Sequence, residues 1–405
     1  YEITTRLVGS EMCIRDRAIG CVIAYFKNHN NYGTSLQGFA TIKAIEHEGY
    51  KCRLIQYQKS DSLFKKIRLA PLMFISGGWQ AYKKKIKKKK ITESTSSYAK
   101  DINIRTSVNN QWKSQYMDSY CDLYIGYNNL KSGSKNYGLI IVGSDQVWTP
   151  LGLYSKFFNL LFVDDSIPRM SYASSFGVSK IPSWQIKTTC KYLDKINKLS
   201  VREIRGKEII EEISHNKAQV VLDPTLLLSQ SQWREEIGDK KPKAEGKYIF
   251  CYLLGKDEKV RKEINHFKKI TGLKIVAMRH IDEFIACDEG FGDEAPYNID
   301  PLDFVQLIAN AEFVCTDSFH CTVFSTIFHK QFVTFYRFLN TNSDSRNSRI
   351  DSILNLLGLE DRLYNGNLTS QMFSKIDYNT VEQKKNPLLK SSLEFLKSGL
   401  ALSKK

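Results

Sequence analysis

Residues 18–57 read AIGCVIAYFKNHNNYGTSLQGFATIKAIEHEGYKCRLIQY, and this stretch decides the fold. The apolar run at residues 18–26 predicts a buried strand, and the polar segment 30–33 predicts a turn. Apolar residues recur at helical spacing through residues 34–48, and Gly49 then ends the predicted helix. Residues 52–57 predict a second strand. A strand, a helix and a strand in this order form a βαβ unit, which predicts a parallel sheet.

The same alternation continues along the chain. Residues 61–135 are polar and basic, and we predict an irregular insertion there with helical pieces such as 116–130. Further strands are predicted at residues 138–142, 170–173, 199–202, 219–222, 248–253, 274–278, 313–316 and 332–335, with helices at 183–198, 260–270, 301–309, 319–328 and 388–400. The predicted fold class is α/β, with two Rossmann-like domains facing a central cleft in a glycosyltransferase-B-like arrangement.

The composition excludes several classes of protein. The 405 residues include 42% hydrophobic and 25% charged residues, which is typical of a globular chain and not of a disordered, collagenous or coiled-coil one. The longest apolar runs have the length of strands, so the sequence predicts no integral membrane protein. Nine cysteines are scattered without any CxxC pair, which predicts free thiols, a cytoplasmic location and no structural zinc.

The net charge of +16 is partly local, because seven lysines lie between Lys83 and Lys90 (KKKIKKKK). Such a run is most often a solvated surface segment. It could also contact an acidic glycan or the anionic lipid of the inner membrane, which would make the protein peripheral there. Because no RNA-recognition, zinc-finger or helix-turn-helix motif accompanies it, we expect no nucleic-acid partner.

The first residues differ in character from the rest. Residues 7–17 (LVGSEMCIRDR) resemble the translated end of a transposon-derived sequencing adapter, although an ordinary N-terminal arm is the alternative. The predicted division of the chain is therefore an artefactual segment 1–17, an N-terminal domain 18–202 with the insertion 61–135, a crossover region 203–247 and a C-terminal domain 248–405 that ends in an amphipathic helix.

Glycines, small hydroxyls and single charged residues follow the predicted strands. In open parallel sheets, ligands bind beyond the carboxyl ends of the strands, where helix N-termini present free N–H groups. The segments at those ends therefore predict a cleft for an anionic ligand between the two domains; they are residues 31–34 (NYGT), 143–146 (GSDQ), 174–177 (SSFG), 202–203 (RE), 223–224 (DP) and 316–320 (TDSFH).

Taken together, these motifs resemble those of the polysaccharide pyruvyl transferase family. The resemblance rests on NNYGTSLQGFATIKAIEHEGY (30–50), IIVGSDQVW (140–148), SVREIRG (200–206), VLDPTLLL (221–228) and the segment 304–335 around TDSFH. It covers nearly all of residues 20–365 and keeps the order of the motifs. Cys321 follows the histidine where many relatives have glycine.

The resemblance implies transfer of pyruvate from phosphoenolpyruvate to two hydroxyls of a sugar, forming a ketal during synthesis of a bacterial surface polysaccharide. The partners it implies are a small-molecule donor and a sugar or lipid-linked oligosaccharide acceptor. No metal and no organic cofactor is expected. The chemistry needs an acid for the enol carbon, a base for the attacking hydroxyl and cations for the donor's carboxylate and phosphate.

His320 is the first catalytic candidate, because imidazole exchanges protons near neutral pH. A histidine at a helix N-terminus that only bonds its neighbours is the alternative. Ser318 and Asp317 are substrate-binding candidates, and capping of the helix is the competing role for both. Asp145 is a candidate base or acceptor contact, with the capping of a turn as its alternative. Gly143 and Ser144, just before it, are substrate-binding candidates.

Arginines and the first helix supply the other candidates. We assign Arg202 to the donor's anion, since guanidinium matches carboxylate and phosphate geometry; a salt bridge with Glu203 or another carboxylate is the alternative. Arg346 and Arg349 lie on a polar segment suited to phosphate capture or simply to solvent. Asn31, Gly33 and Thr34 open the first helix and either bind substrate or only cap the helix; they complete the set of predicted binding residues.

Two other functions use the same sequence features. A glycosyltransferase with a nucleotide-sugar donor would have the same sheets and a basic cleft, and the fold alone does not separate the two reactions. A relative without activity could bind glycan or anionic lipid through its lysine run. The TDSFH histidine together with Arg202 favours the pyruvyl transferase.

Overall fold

The computed structural model describes residues 17–25, 30–60, 97–150, 156–281, 284–337 and 347–404. Two parallel sheets organise these residues, one in each half of the chain. Among the described helices, none combines the length and the apolar character needed to cross a membrane. The eight cysteines that lie in these ranges are free thiols, as predicted.

The N-terminal sheet has five parallel strands in the order β3-β2-β1-β4-β5. These strands are β1 (Ile19–Val22), β2 (Cys52–Gln58), β3 (Cys121–Ile125), β4 (Leu139–Val142) and β5 (Arg169–Ser171). Every residue of β1, β4 and β5 is buried, which explains the apolar sequences of β1 and β4. The helices of this half are α1 (Tyr32–His47), α2 (Ser97–Tyr116), α3 (Tyr127–Gly133), α4 (Ser183–Leu193) and α5 (Ile204–Ile213).

Part of the predicted insertion belongs to the sheet. Residues 116–130 were predicted to be helical, and this is wrong for residues 121–125, which form the edge strand β3. An edge strand buries little of its outer face, and Leu123 and Ile125 are exposed. The periodicity of a buried strand is therefore absent from this sequence. Residues 61–96 of the same insertion lie outside the described residues.

The C-terminal sheet has four parallel strands in the order β11-β10-β8-β9. A two-stranded parallel pair, β6 (Ser200–Val201) and β7 (Gln219–Val220), precedes it, and its strands are β8 (Tyr248–Tyr252), β9 (Lys274–Ala277), β10 (Phe313–Thr316) and β11 (Gln331–Thr334). The helices that follow α5 are α6 (Gln230–Ile237), α7 (Glu258–Thr271), α8 (Pro301–Asn310), α9 (Phe319–Ile327), α10 (Ser348–Leu357), α11 (Leu368–Phe373) and α12 (Tyr378–Leu400). The predicted α/β class with two Rossmann-like halves is confirmed.

One apolar cluster runs through both halves. In its centre, Tyr32 of α1 stacks on Phe304 of α8 with ring centroids 5.2 Å apart. Trp233 of α6 packs between Phe39 of α1 and Phe324 of α9. The halves are therefore joined by a continuous core. The domain boundaries at residues 202 and 247 stay a prediction.

In each sheet, the order in which the chain adds strands reverses at one point. In the N-terminal sheet, β1 lies between β2 and β4, so the loops after β1 and β4 diverge. In the C-terminal sheet, β8 lies between β9 and β10, and the loops after β8 and β10 diverge in the same way. Such switch points create crevices at the carboxyl ends of the strands. The four loops, together with the first turns of the helices α1 and α9 that follow two of them, carry residues 31–34, 143–146, 253–255 and 317–320.

Candidate active site

His320 lies in the first turn of α9, directly after β10, with 7% of its surface exposed. Its Nε2 is 3.8 Å from Oδ2 of Asp223 and has no hydrogen-bond partner among the described residues. On the other side of the ring, the Cα of Gly33 lies so close that a Cβ there would sit 2.1 Å from Nδ1. Glycine at position 33 therefore makes room for the imidazole and brings the first turn of α1 against it.

The environment of His320 sets its protonation state. Burial lowers the pKa of the imidazole, because a low-dielectric surrounding disfavours the charged form. The carboxylates of Asp223 and Asp145 raise this pKa, whereas the nearby guanidinium groups lower it. The net direction is downward, so the imidazole is neutral at pH 7 and can accept a proton.

Asp145 ends the GSD segment after β4 with a φ of 72°, in the left-handed region where aspartate is tolerated. Its Oδ2 accepts a hydrogen bond of 3.3 Å from Oγ1 of Thr34, and its Oδ1 is 3.4 Å from Arg202 and 3.7 Å from Arg349. Burial would raise the pKa of this carboxyl, but the two guanidinium groups and His320 lower it to about 2. Asp145 is consequently ionised and links both halves of the molecule.

Arg202 is buried beneath these groups, with each guanidinium nitrogen near a carboxylate. Nη1 donates to Asp223 at 2.9 Å, Nη2 donates to Asp145 at 3.4 Å and Nε lies 3.5 Å from Glu203. The ring of Phe319 covers its face at 4.4 Å. Burial would lower the pKa of Arg202, but the three carboxylates raise it. The structure thus places Arg202 in the ion-pair network that was the alternative to direct binding of the donor.

Sequence reasoning missed Asp223 as a site residue. The carboxylate is fully buried and accepts hydrogen bonds from Ser144 at 3.0 Å and from the backbone and hydroxyl of Thr225. Burial would raise its pKa, but His320 and Arg202 hold it below its usual value. A signal was present, since an Asp-Pro pair directly follows a predicted strand. Its role as the centre of the network depends on contacts with residues far apart in sequence.

Arg349 enters the cluster from the first turn of α10. Its side chain is 14% exposed, Nη1 lies 3.7 Å from Asp145, and Nε has no hydrogen-bond partner among the described residues. Burial first, and then the charges of Arg202 and Arg337, lower the pKa of this guanidinium to about 10, against the opposing effect of Asp145 and Glu203. Arg349 is therefore the arginine of the cluster with capacity left for an anion.

Among the described residues, the side chains of Asp317 and Ser318 make no hydrogen bond or ion pair with His320. Both oxygens of Asp317 accept backbone hydrogen bonds, from Leu254 at 2.8 Å and Gly255 at 2.6 Å, and so fix the loop after β8 to the loop after β10. Ser318 occupies the N-cap position of α9, but its side chain makes no capping bond. The described residues therefore show no side-chain capping by Ser318, which was the alternative to substrate binding, and its binding role stays a prediction.

The remaining predicted residues take structural positions around this cluster. Asn31 caps α1 by accepting a 3.2 Å hydrogen bond from the backbone of Thr34, which is the capping role considered for it. Gly143 has a φ of 130°, and a Cβ there would sit 1.9 Å from the carbonyl oxygen of Tyr172. Arg346 and the lysine run lie outside the described residues.

The family profile of polysaccharide pyruvyl transferases matches residues 31–337, which include all of these groups except Arg349. The chain belongs to the polysaccharide pyruvyl transferase family. The predicted resemblance is confirmed, and this family is one of transferases. No curated protein sequence matches the chain significantly.

Solved structures of other enzymes align with most of the chain at low similarity. The UDP-GlcNAc 2-epimerase of Neisseria meningitidis, solved with UDP-GlcNAc, aligns with a TM-score of 0.46 and 9% identity over 93% of this chain and 94% of that chain. MnaA of S. aureus, solved with UDP, aligns with a TM-score of 0.46 and 12% identity over 93% of this chain and 91% of that chain. MurG of Acinetobacter baumannii aligns with a TM-score of 0.41 and 9% identity over 96% of this chain and 94% of that chain.

Proposed function

We propose that this chain transfers the pyruvyl group of phosphoenolpyruvate to two hydroxyls of a sugar during synthesis of a surface polysaccharide. The observation that carries the proposal is the buried imidazole of His320, whose Nε2 has no hydrogen-bond partner among the described residues at the point where both sheets end. The family assignment supplies the reaction class. A neutral imidazole in such a position suits proton transfer to and from a substrate.

The reaction balances with one donor and one diol. Two C–O bonds form at C2 of the enol ester and a proton is added to C3. The π bond between C2 and C3 and the bond from C2 to the phosphate oxygen break. The proton of the first hydroxyl ends on C3, and the proton of the second leaves with inorganic phosphate. One residue that accepts a hydroxyl proton and returns it to carbon can therefore serve the first half of the reaction.

We assign that role to His320 rather than to Asp145. The pKa of Asp145 is about 2, which makes its carboxylate a weak base at neutral pH. Its contacts with Thr34, Arg202 and Arg349 suit it to fixing the geometry of the cluster. The lowered pKa of His320 leaves the imidazole unprotonated and ready to accept the hydroxyl proton.

We assign the donor's carboxylate to Arg349, and Arg202 is a positioning residue. Arg202 already has a carboxylate within 3.5 Å of each of its guanidinium nitrogens. Arg349 approaches one carboxylate at 3.7 Å and is more exposed. A guanidinium that faces one carboxylate attracts a further carboxylate more strongly than one that already faces three, because the three carboxylates repel it.

The test is a product assay with the full chain, phosphoenolpyruvate and a panel of nucleotide-linked and lipid-diphosphate-linked sugars. We expect release of inorganic phosphate that depends on one class of acceptor, together with a product carrying a pyruvyl ketal in its mass spectrum. His320→Gln is expected to lower turnover by about 100-fold or more, within the range for loss of general acid–base catalysis. Release of UDP or GDP from a nucleotide sugar, without phosphate release, would instead establish a glycosyltransferase.

A further inference from the structure

A second basic site lies between the two halves, beside the His320 cluster. A cavity of about 120 Å³ separates the N-terminus of α1 from the loops after β8, β9 and β11. One water needs only ~10–15 Å³ of such space, so this cavity can hold a larger polar group. Its walls include Arg105, Arg279 and Arg337, and we call it the arginine cavity.

The charge of the arginine cavity is strongly positive. None of the described residues that line it is an aspartate or a glutamate. The carboxylate of Asp317 borders the cavity, since its Oδ1 is 3.7 Å from Arg337, and its oxygens already accept two backbone N–H groups. Arg279 also lines a smaller neighbouring cavity whose walls include Asp101, Asp288 and Glu289, and Asp288 pairs with Arg261.

The His320 cluster has the opposite balance. Two arginines, Arg202 and Arg349, face three carboxylates there, those of Asp145, Glu203 and Asp223. The excess of carboxylates limits what a ligand with several negative charges gains from that cluster to the contact of one anionic group with Arg349. The same ligand is attracted to the arginine cavity, because three arginines and no carboxylate lie among the described residues that line it.

Backbone carbonyls, rather than carboxylates, hold two of these arginines in place. Arg105 is 1% exposed and donates from Nη1 to the carbonyl of Arg279 at 2.6 Å and from Nη2 to that of Pro296 at 2.9 Å. Arg279 donates from Nη2 to the carbonyl of Phe291 at 3.3 Å. The Nε of each has no hydrogen-bond partner among the described residues. A buried charge without a counter-ion is costly, so the buried Arg105 is arranged for an anion that the described residues do not themselves supply, and the half-buried Arg279 lies beside it.

The arginine cavity adjoins the catalytic histidine through one turn of helix. Tyr32 lines the cavity, and the next residue, Gly33, lies against the ring of His320. Leu254 lines the cavity as well, and its N–H binds Asp317, three residues before His320. An anion in the cavity also lies at the N-terminus of α1, where the helix dipole favours negative charge.

We propose that the arginine cavity is a phosphate-binding subsite of this active site. Its ligand is a phosphate oxyanion, which belongs either to phosphoenolpyruvate or to the diphosphate of a nucleotide- or lipid-linked sugar acceptor. The role in catalysis rests on the proposed function, whereas the binding of phosphate rests on the cavity alone. The reacting carbon then lies toward His320 and the most charged part of the substrate lies over the arginines.

Binding of inorganic phosphate and pyrophosphate to the full chain tests this subsite without any turnover. We expect titration calorimetry to show saturable binding that is on the order of tenfold weaker in Arg279→Gln and in Arg337→Gln, the effect of one lost charge-assisted hydrogen bond. Arg205→Gln is the matched control, since Arg205 pairs with Glu208 and Glu212 on a surface helix. It is expected to bind as the parent does.

Competition with phosphoenolpyruvate then identifies the source of the phosphate. If pyrophosphate and phosphoenolpyruvate exclude each other, and Arg279→Gln weakens both, the donor's phosphate occupies the arginine cavity. If pyrophosphate binds equally well in the presence of saturating phosphoenolpyruvate, the acceptor's diphosphate occupies it.

Failure of the subsite is distinguishable from failure of the proposed function. Equal phosphate binding by the parent and both cavity variants would overturn the subsite even if pyruvyl transfer is observed. Loss of phosphate binding in the variants of a chain that transfers no pyruvate would support the subsite and overturn the function. Unfolding temperatures of the ligand-free variants within a few degrees of the parent's show that the fold is retained; Arg105 is left unchanged because it joins the two halves.

Discussion

At the scale of single residues, the pKa of His320 determines how activity depends on pH. Burial lowers this pKa from the ordinary value of 6.5, so the neutral form persists to lower pH than in an exposed histidine. If the neutral imidazole is the base, kcat/KM is constant through pH 7 and falls once the pH drops through a pKa below 6.5. A pH profile of kcat/KM measures that inflection.

A variant of the neighbouring carboxylate assigns the inflection. Asp223 raises the pKa of His320, so Asp223→Asn is expected to move the inflection to still lower pH. An inflection at the same pH in this variant would show that another group titrates. Activity that rises as the pH falls through 6.5 would mean that the imidazolium is the active form.

Gly33 offers a second test at this scale. A methyl group at this position would lie 2.1 Å from Nδ1 of His320, so Gly33→Ala displaces the imidazole or the helix turn. A displacement of about 1 Å costs on the order of 100-fold in rate, and we expect kcat/KM to fall by at least that much. Overpacking of this kind costs ~1–3 kcal/mol, so the protein stays folded.

Gly206→Ala is the matched control for Gly33→Ala. Gly206 is also in a helix, and a Cβ there lies 3.3 Å from the Cβ of Val201, which is tight but tolerable. This variant is expected to retain the parent's kcat/KM and unfolding temperature. Equal activity of the two alanine variants would contradict the close approach of α1 to His320.

Some residues of the candidate site were predictable from the sequence, whereas their ion-pair partners were not. His320 and Asp145 could be selected because each follows a predicted strand, and both lie in the cluster. The pairing of Arg202 with Asp223 was not predictable in the same way, since each of several carboxylates could have been its partner. Ion pairs between loops depend on three-dimensional distances that periodicity does not encode.

At the scale of elements, α12 ties the C-terminal half back to the N-terminal sheet. Phe395 lies 6.3 Å from the ring of Tyr172, which follows β5, and Gly399 packs against Met170 of β5. The hydroxyl of Ser392 donates to the carbonyl of Leu388 at 2.6 Å and accepts from the backbone N–H of Leu222 at 3.0 Å. This helix therefore closes the molecule around the crossover between the halves.

Phe395→Ala tests the contribution of α12 to stability. The side chain is 7% exposed, and replacing a buried phenylalanine by alanine costs ~3–5 kcal/mol. We expect the free energy of unfolding in urea to fall by about 3 kcal/mol or more. Glu394→Ala, at the exposed neighbouring position, is expected to change it by less than about 0.5 kcal/mol. Equal free energies of unfolding for Phe395→Ala and Glu394→Ala would contradict the packing of α12 against the N-terminal sheet.

Most of the other elements were predictable from sequence pattern. Strand β10 matches its predicted range, and α1 and α8 differ from theirs by no more than two residues at either end. The start of α12 was missed by ten residues, because Pro387 in its interior is typical of a helix end. The signal that applies instead is Asp377, which caps the helix by accepting from Asn379 and Thr380.

At the scale of the whole molecule, the two sheets bring their switch points together. The loops after β1 and β4 contribute Gly33 and Asp145, and the loop after β10 contributes His320. The ends of parallel strands were predictable as ligand sites for a topological reason. The difference in charge between the His320 cluster and the arginine cavity was not predictable from the sequence, because it depends on how the two halves pack.

Binding of phosphoenolpyruvate to the full chain, followed by thermal unfolding, tests the central claim most directly. UDP-GlcNAc and GDP-mannose are titrated in parallel. A ligand present at 100 times its dissociation constant stabilises the folded state by ~2.7 kcal/mol, so specific binding gives a clear rise in unfolding temperature. We predict a saturable rise with phosphoenolpyruvate that is reduced in Arg349→Gln. A rise with a nucleotide sugar and none with phosphoenolpyruvate would contradict the assignment of the donor.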